Sequence, residues 1–83
     1  MTSVETDLLA RVPAQLFIGG EWVDAAGGAT FAVHAPSTGE VVREIADASP
    51  EDGIRALDAA VAAQDAWAAT APRERGEILR RAF

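Results

Sequence analysis

The chain has one histidine, His34, and no cysteine. A lone imidazole can serve as a base or a ligand, but nothing near His34 has the spacing of a metal site or an activated nucleophile. It reads as a strand-end residue with a structural or solvated role. The acid pairs Glu51-Asp52 and Glu74/Glu77 carry the carboxylates that general acid–base work requires. Such acids usually complement the helix dipole on a solvated face, and that is the reading adopted for both pairs. Gly19-Gly20 and Gly27-Gly28 could suggest a phosphate loop. Neither has the G-x-G-x-x-G or G-x-x-x-x-G-K spacing that places backbone amides around a phosphate. Ser3, Ser37 and Ser49 lack the surroundings of a nucleophile elbow. Arg80-Arg81 is too short for an anion patch, and Trp22 and Trp67 read as packing residues. On residues alone there is no active site.

Composition narrows the classes further. The 83 residues include 13 acidic and 7 basic side chains, for a net charge of −6. That balance argues against nucleic acid as a partner, because phosphate neutralisation needs a basic patch. Without cysteine there is no disulfide framework or thiolate metal site. No stretch approaches the ~20 apolar residues of a membrane span, and the polar, acidic start does not resemble a secretory signal. The expected location is the cytoplasm, with no membrane partner. Hydrophobic residues make up 49%, but 19 of them are alanine, so little area is available to bury per residue. A chain of this length is marginal as a lone domain.

The elements that would position these residues follow from local pattern. Residues 1–14 read as a mobile or loosely docked lead, with Leu8, Leu9 and Val12 in a short amphipathic turn stopped by Pro13. Residues 15–83 form the folded part. Leu16-Phe17-Ile18, Gly19-Gly20 and Glu21-Trp22-Val23 give a hairpin, because glycine tolerates the positive φ of the tight turns. Thr30 to His34, the Ala35-Pro36-Ser37-Thr38-Gly39 turn and Glu40 to Ala46 give a second hairpin. At Ser49 the period changes. A hydroxyl N-cap, Pro50 and acids in the first turn open a helix that runs to about Ala69, with Ile54, Leu57 and Val61 on one face. Glu51 and Arg55 are spaced to pair along it. Ala71-Pro72 interrupts, and a second helix follows with Ile78, Leu79, Ala82 and Phe83 as its apolar side. Arg73, Glu77 and Arg81 are spaced four apart on it. This apolar stripe ends with the chain, without a capping glycine or polar tail, so the sequence is expected to be a fragment. In the parent, the second helix is expected to pack antiparallel on the Ile54–Leu57–Val61 face.

The order of these motifs resembles the aldehyde dehydrogenase superfamily. Leu16 to Val23 is similar to its opening strand pair, "FI-x-G-x-W". Phe31-Ala32-Val33 and Pro36-Ser37-Thr38-Gly39-Glu40-Val41 resemble its "F-x-V-x-N-P-x-T-G-E" turn, with Ala35 where the family usually has Asn. Ala48, Asp52, Ala56, Ala59, Ala60, Ala63 and Trp67 look like its first long helix. Arg75, Leu79 and Ala82 resemble the opening of the next. Glu74 to Arg80 looks most like the succinate-semialdehyde dehydrogenase branch.

The resemblance implies an α/β parent fold, of which this fragment supplies two N-terminal β-hairpins followed by two helices, an incomplete part of the cofactor-binding domain. It implies an NAD- or NADP-dependent oxidation of an aldehyde, succinate semialdehyde on the branch resemblance, to its carboxylic acid. In the family a cysteine thiolate attacks the aldehyde, amide donors hold the oxyanion, and a glutamate activates water. None of these residues maps here, so no catalytic or cofactor-binding residue is expected in the segment. In some members, backbone carbonyls before the turn help hold a monovalent cation. By position these would be those of Val33 and His34. A homo-oligomeric parent is also implied. The contrasting reading is a free-standing small acidic β/α module that binds a protein partner, and reading the gene past Phe83 discriminates the two.

Overall fold

The computed structural model describes residues 2–83. Helix α1 spans Ser3–Arg11, then strands β1 (Leu16–Ile18) and β2 (Glu21–Val23) follow. A tight turn at Ala26–Gly28 leads to β3 (Thr30–His34) and β4 (Val41–Ala46), and helices α2 (Pro50–Ala69) and α3 (Pro72–Ala82) complete the chain.

The two hairpins are separate two-stranded antiparallel sheets. In the first, Leu16 faces Val23, Phe17 faces Trp22 and Ile18 faces Glu21. Gly19 and Gly20 turn the chain at φ of 63° and 82°, values that cost other residues strain. The Phe17 and Trp22 rings meet with centroids 4.8 Å apart, a cross-strand aromatic pair that favours this register. In the second hairpin Thr30 faces Ala46 and Val33 faces Arg43. The register then slips between Val33 and His34, so that His34 faces Val41. The turn closes without the missing asparagine: the Ala35 amide donates to the Glu40 carbonyl at 2.8 Å, and the Gly39 amide to that of Ala35 at 2.8 Å.

Helix α1 begins well before the expected turn. Thr2 caps it, accepting from the Glu5 amide while the Glu5 carboxylate accepts from the Thr2 amide. This reciprocal capping box satisfies two donors that a helix start otherwise leaves open. At the other end the Arg43 guanidinium, reaching from β4, donates to the carbonyls of Leu9 and Val12. The same kind of box opens α2, with Ser49 as N-cap and Asp52 three residues on.

Ala71 before Pro72 takes extended backbone, as the proline ring demands. Thr70 is extended as well. In this chain α3 does not cover that face of α2: Ile54, Leu57 and Val61 stay 60%, 61% and 57% exposed. The antiparallel pairing is an expectation for the parent chain.

The chain has almost no core. Ala25 is the buried apolar residue among those described, and the one fully buried side chain of size is charged, Asp52. The radius of gyration is 17.1 Å, against about 12 Å for a compact domain of this length.

Candidate functional site

The densest polar constellation centres on Asp52, only 1% exposed. One carboxylate oxygen accepts from the Ala26 amide at 3.0 Å and from the Arg55 guanidinium at 2.6 Å. The other accepts from the Ser49 amide at 2.8 Å, the Ser49 hydroxyl at 3.1 Å and the Ala26 amide at 3.1 Å. Arg55 also donates to the Asp24 carbonyl at 3.3 Å. The Ser49 amide first, then Arg55 and the Ala26 amide, hold this carboxyl well below the usual carboxylate range, against the opposing effect of burial.

That geometry decides the chemistry. A carboxylate held ionised by this many donors has no proton to give, and its lone pairs are already taken. Asp52 is therefore not a general acid or base. It ties the Asp24–Ala26 loop, and through it the first hairpin, to the N-terminus of α2.

The structure corrects three expectations. Asp52 does not lie on a solvated face, because the loop after β2 folds over it. Arg55 pairs with Asp52, three residues back, rather than with Glu51. Glu77 pairs with Arg80, again at a spacing of three and with both partners largely exposed, rather than with Arg73 or Arg81. That contact holds the Glu77 carboxyl below its ordinary range, on the surface and facing no cleft.

His34 sits exposed at the end of β3. Among the described residues no group of His, Cys, Asp or Glu could hold a metal ion. Val33 and His34 both keep ladder partners, Arg43 and Val41, and the residue that the slip leaves out of pairing is Val42 on β4. A dinucleotide fits these residues poorly. The glycine pairs at positive φ lie in turns between strands, and the start of α2 is filled by its own Ser49 and Asp52. Sequence reasoning passed over Arg43, whose role depends on a fold that brings residues 31–34 positions apart together.

A further cavity between α1 and the β3–β4 turn is lined by Glu5, Ser37, Thr38 and Glu40 with Ala35, Val41 and Val42, whereas the open surface along α2 is apolar. Phe17, Ile18, Ala56, Ala59, Ala60 and Ala63 line an open trough between the first hairpin and α2. Leu57, Ala60, Val61, Ala63, Gln64 and Trp67 line a second one along α2. Neither offers the convergent polar groups that orient a small substrate. They are packing surfaces.

The aldehyde dehydrogenase family model matches residues 22–83. The succinate-semialdehyde dehydrogenase of Burkholderia pseudomallei is similar over 84% of this chain, at 40% identity and a TM-score of 0.79. PnpE, solved in complex with nicotinamide adenine dinucleotide, is similar over 82%, at 40% identity and a TM-score of 0.78. The match spans 14% of each of those longer chains. On the family match, which covers well over half of its residues, the chain belongs to the aldehyde dehydrogenase family.

Proposed function

We propose that this chain is the N-terminal segment of an NAD- or NADP-dependent aldehyde dehydrogenase that oxidises succinate semialdehyde to its carboxylic acid. The observation that carries the reading is the 40% identity to a succinate-semialdehyde dehydrogenase across 84% of the chain. The overall reaction consumes aldehyde, water and the oxidised cofactor, and yields the acid, the reduced cofactor and a proton. The cofactor takes up the hydride. The nucleophile, the oxyanion donors and the cofactor site belong to the chain outside this segment, and the 83 residues alone turn over nothing.

Within that protein, residues 15–83 would be an incomplete part of the cofactor-binding domain, preceded by the 1–14 lead. Asp52 fixes the first hairpin on α2, and Arg43 fixes α1 on β4. The carbonyls of Val33 and His34 would contribute to a monovalent-cation shell. The whole enzyme is proposed to be cytoplasmic and homo-oligomeric. No helix among the described residues is long and apolar enough to cross a membrane.

The test is the activity of the full reading frame. Succinate semialdehyde should give the highest kcat/KM in a panel of aliphatic and aromatic aldehydes, with saturable dependence on NAD or NADP. A clear preference for another aldehyde overturns the substrate, and absence of any aldehyde oxidation overturns the activity.

A further inference from the structure

Helix α1 has little of its own to keep it folded. It has nine residues, none of them buried, and Val4 and Leu8 stay 75% and 54% exposed. Isolated helices shorter than about 12–15 residues are marginal in water. The Thr2–Glu5 capping box closes its N-terminal end, and a side chain from β4 closes the other. There the Arg43 guanidinium donates to the carbonyls of Leu9 and Val12, groups that a helix end leaves without partners. Its positive charge also complements the helix dipole.

A hinge follows directly. Val12 takes extended backbone ahead of Pro13, and the Ala14 carbonyl accepts from the Ala46 amide of β4 at 2.8 Å. The chain is thus anchored just after the helix, whether or not the helix is formed. At its far end α1 reaches the β3–β4 turn. Glu5 lines a cavity of about 330 Å³ whose other walls come from the turn and the start of β4, with Ser37, Thr38 and Val42 among them. Helix α1 therefore bridges the turn over a gap and not on packed side chains.

We propose that residues 2–14 are a strap over the β3–β4 turn that orders or melts as one unit, with Arg43 as its pin. With the guanidinium seated, α1 is helical and Glu5 closes the cavity. With it withdrawn, a helix of nine residues has no support at its C-terminal end. It then unwinds from Thr2 to Val12, pivots at Ala14 and uncovers the turn. The family match begins at residue 22, so the strap goes beyond family membership and depends on neither cofactor nor aldehyde.

The test is trypsin cleavage after Arg11 in the full-length protein, at low protease, where the rate follows the population of the opened strap. Hydrogen exchange of residues 35–42 is read in parallel. Arg43→Ala should speed cleavage about tenfold. Thr2→Ala, which removes the cap at the opposite end of α1, should speed it about fivefold. Exchange at 35–42 should rise with cleavage in both variants, while exchange in α2 stays unchanged. Thr2 is exposed, so its variant decides the matter even where Arg43→Ala does not fold. Cleavage unchanged by Thr2→Ala shows that the two ends do not act as one unit, and overturns the proposal. Faster cleavage without any change at 35–42 also overturns it, because the strap then covers nothing. Resistance of Arg11 in all three proteins, or equal acceleration of exchange in α2, has the same consequence.

Discussion

Separating this segment from what covers it should abolish cooperative folding. An unfolded chain of this mass exposes about 12,600 Å², so the folded segment buries only about 47% of its surface, where a compact small domain buries about 60%. The chain exposes 6668 Å², and a compact fold of 8.7 kDa would expose about 4,700 Å². If roughly 57% of the ~1,900 Å² shortfall is apolar, the missing burial is worth on the order of 25 kcal/mol. Net stabilities of whole domains are only about 5–15 kcal/mol, so the deficit exceeds what a small domain has to spare. The hairpins and helices, held mainly by local bonds, should then melt separately. Urea titration of the isolated chain, followed by far-UV circular dichroism and by tryptophan fluorescence, reads this directly. Trp22 reports on the first hairpin and Trp67 on the end of α2. The curves should be broad and should not coincide. A single sharp transition shared by both probes and independent of concentration would refute the reasoning, because it would require an apolar core larger than Ala25.

Three further outcomes are expected in the full-length protein. Arg43→Ala removes the donor to the last carbonyls of α1, a loss of about 1.5 kcal/mol for charge-assisted bonds at a half-exposed site; hydrogen exchange of the Leu8–Val12 amides should quicken roughly tenfold, and unchanged exchange contradicts the latch. Gly20→Ala forces a Cβ onto a φ of 82° in open space, so the cost is backbone strain alone, about 1–2 kcal/mol, read as a lower urea midpoint; no change in midpoint argues against the tight turn. The Asp52 carboxyl, depressed in the folded state, contributes stability that is present above its ordinary pKa near 3.8 and is lost as pH falls through the lower folded value. Its carboxyl carbon should titrate below 3.8 by NMR, and a midpoint at or above that value sinks the assignment of Ser49, Arg55 and Ala26 as its donors.

The parts of the fold that were legible in sequence are those decided within a few residues. Gly19-Gly20 between β-prone runs, the Pro36–Gly39 turn, Ser49-Pro50 and Ala71-Pro72 each act through local φ and ψ, and each stands where its chemistry placed it. The capping box of α1 is equally local and was readable from Thr2 and Glu5. The pairings of Arg55 and Glu77 were not, since spacings of three and four both fit a helix and the choice falls to side-chain rotamers. The burial of Asp52 depends on a loop 26 residues earlier in the chain. The reach of Arg43 spans 31 to 34 residues. Periodicity carries no information at those separations, and the resemblance to a family supplied order without contacts.

Alanine on α2 has two uses that the helix-forming tendency of that residue does not by itself explain. Toward the first hairpin, a Cβ placed on Gly19 would lie 3.8 Å from the Ala59 methyl, so the turn rests directly on the helix and a larger side chain at position 59 would lift it. Away from the hairpin, Ala60 and Ala63 lie among Leu57, Val61 and Trp67 and keep that face shallow. On α2 the small residues let the hairpin approach closely on one side and keep the trough shallow on the other. Substituting Ala59 with leucine should therefore disturb the hairpin while leaving the trough intact, whereas leucine at Ala63, which borders both troughs, should disturb both.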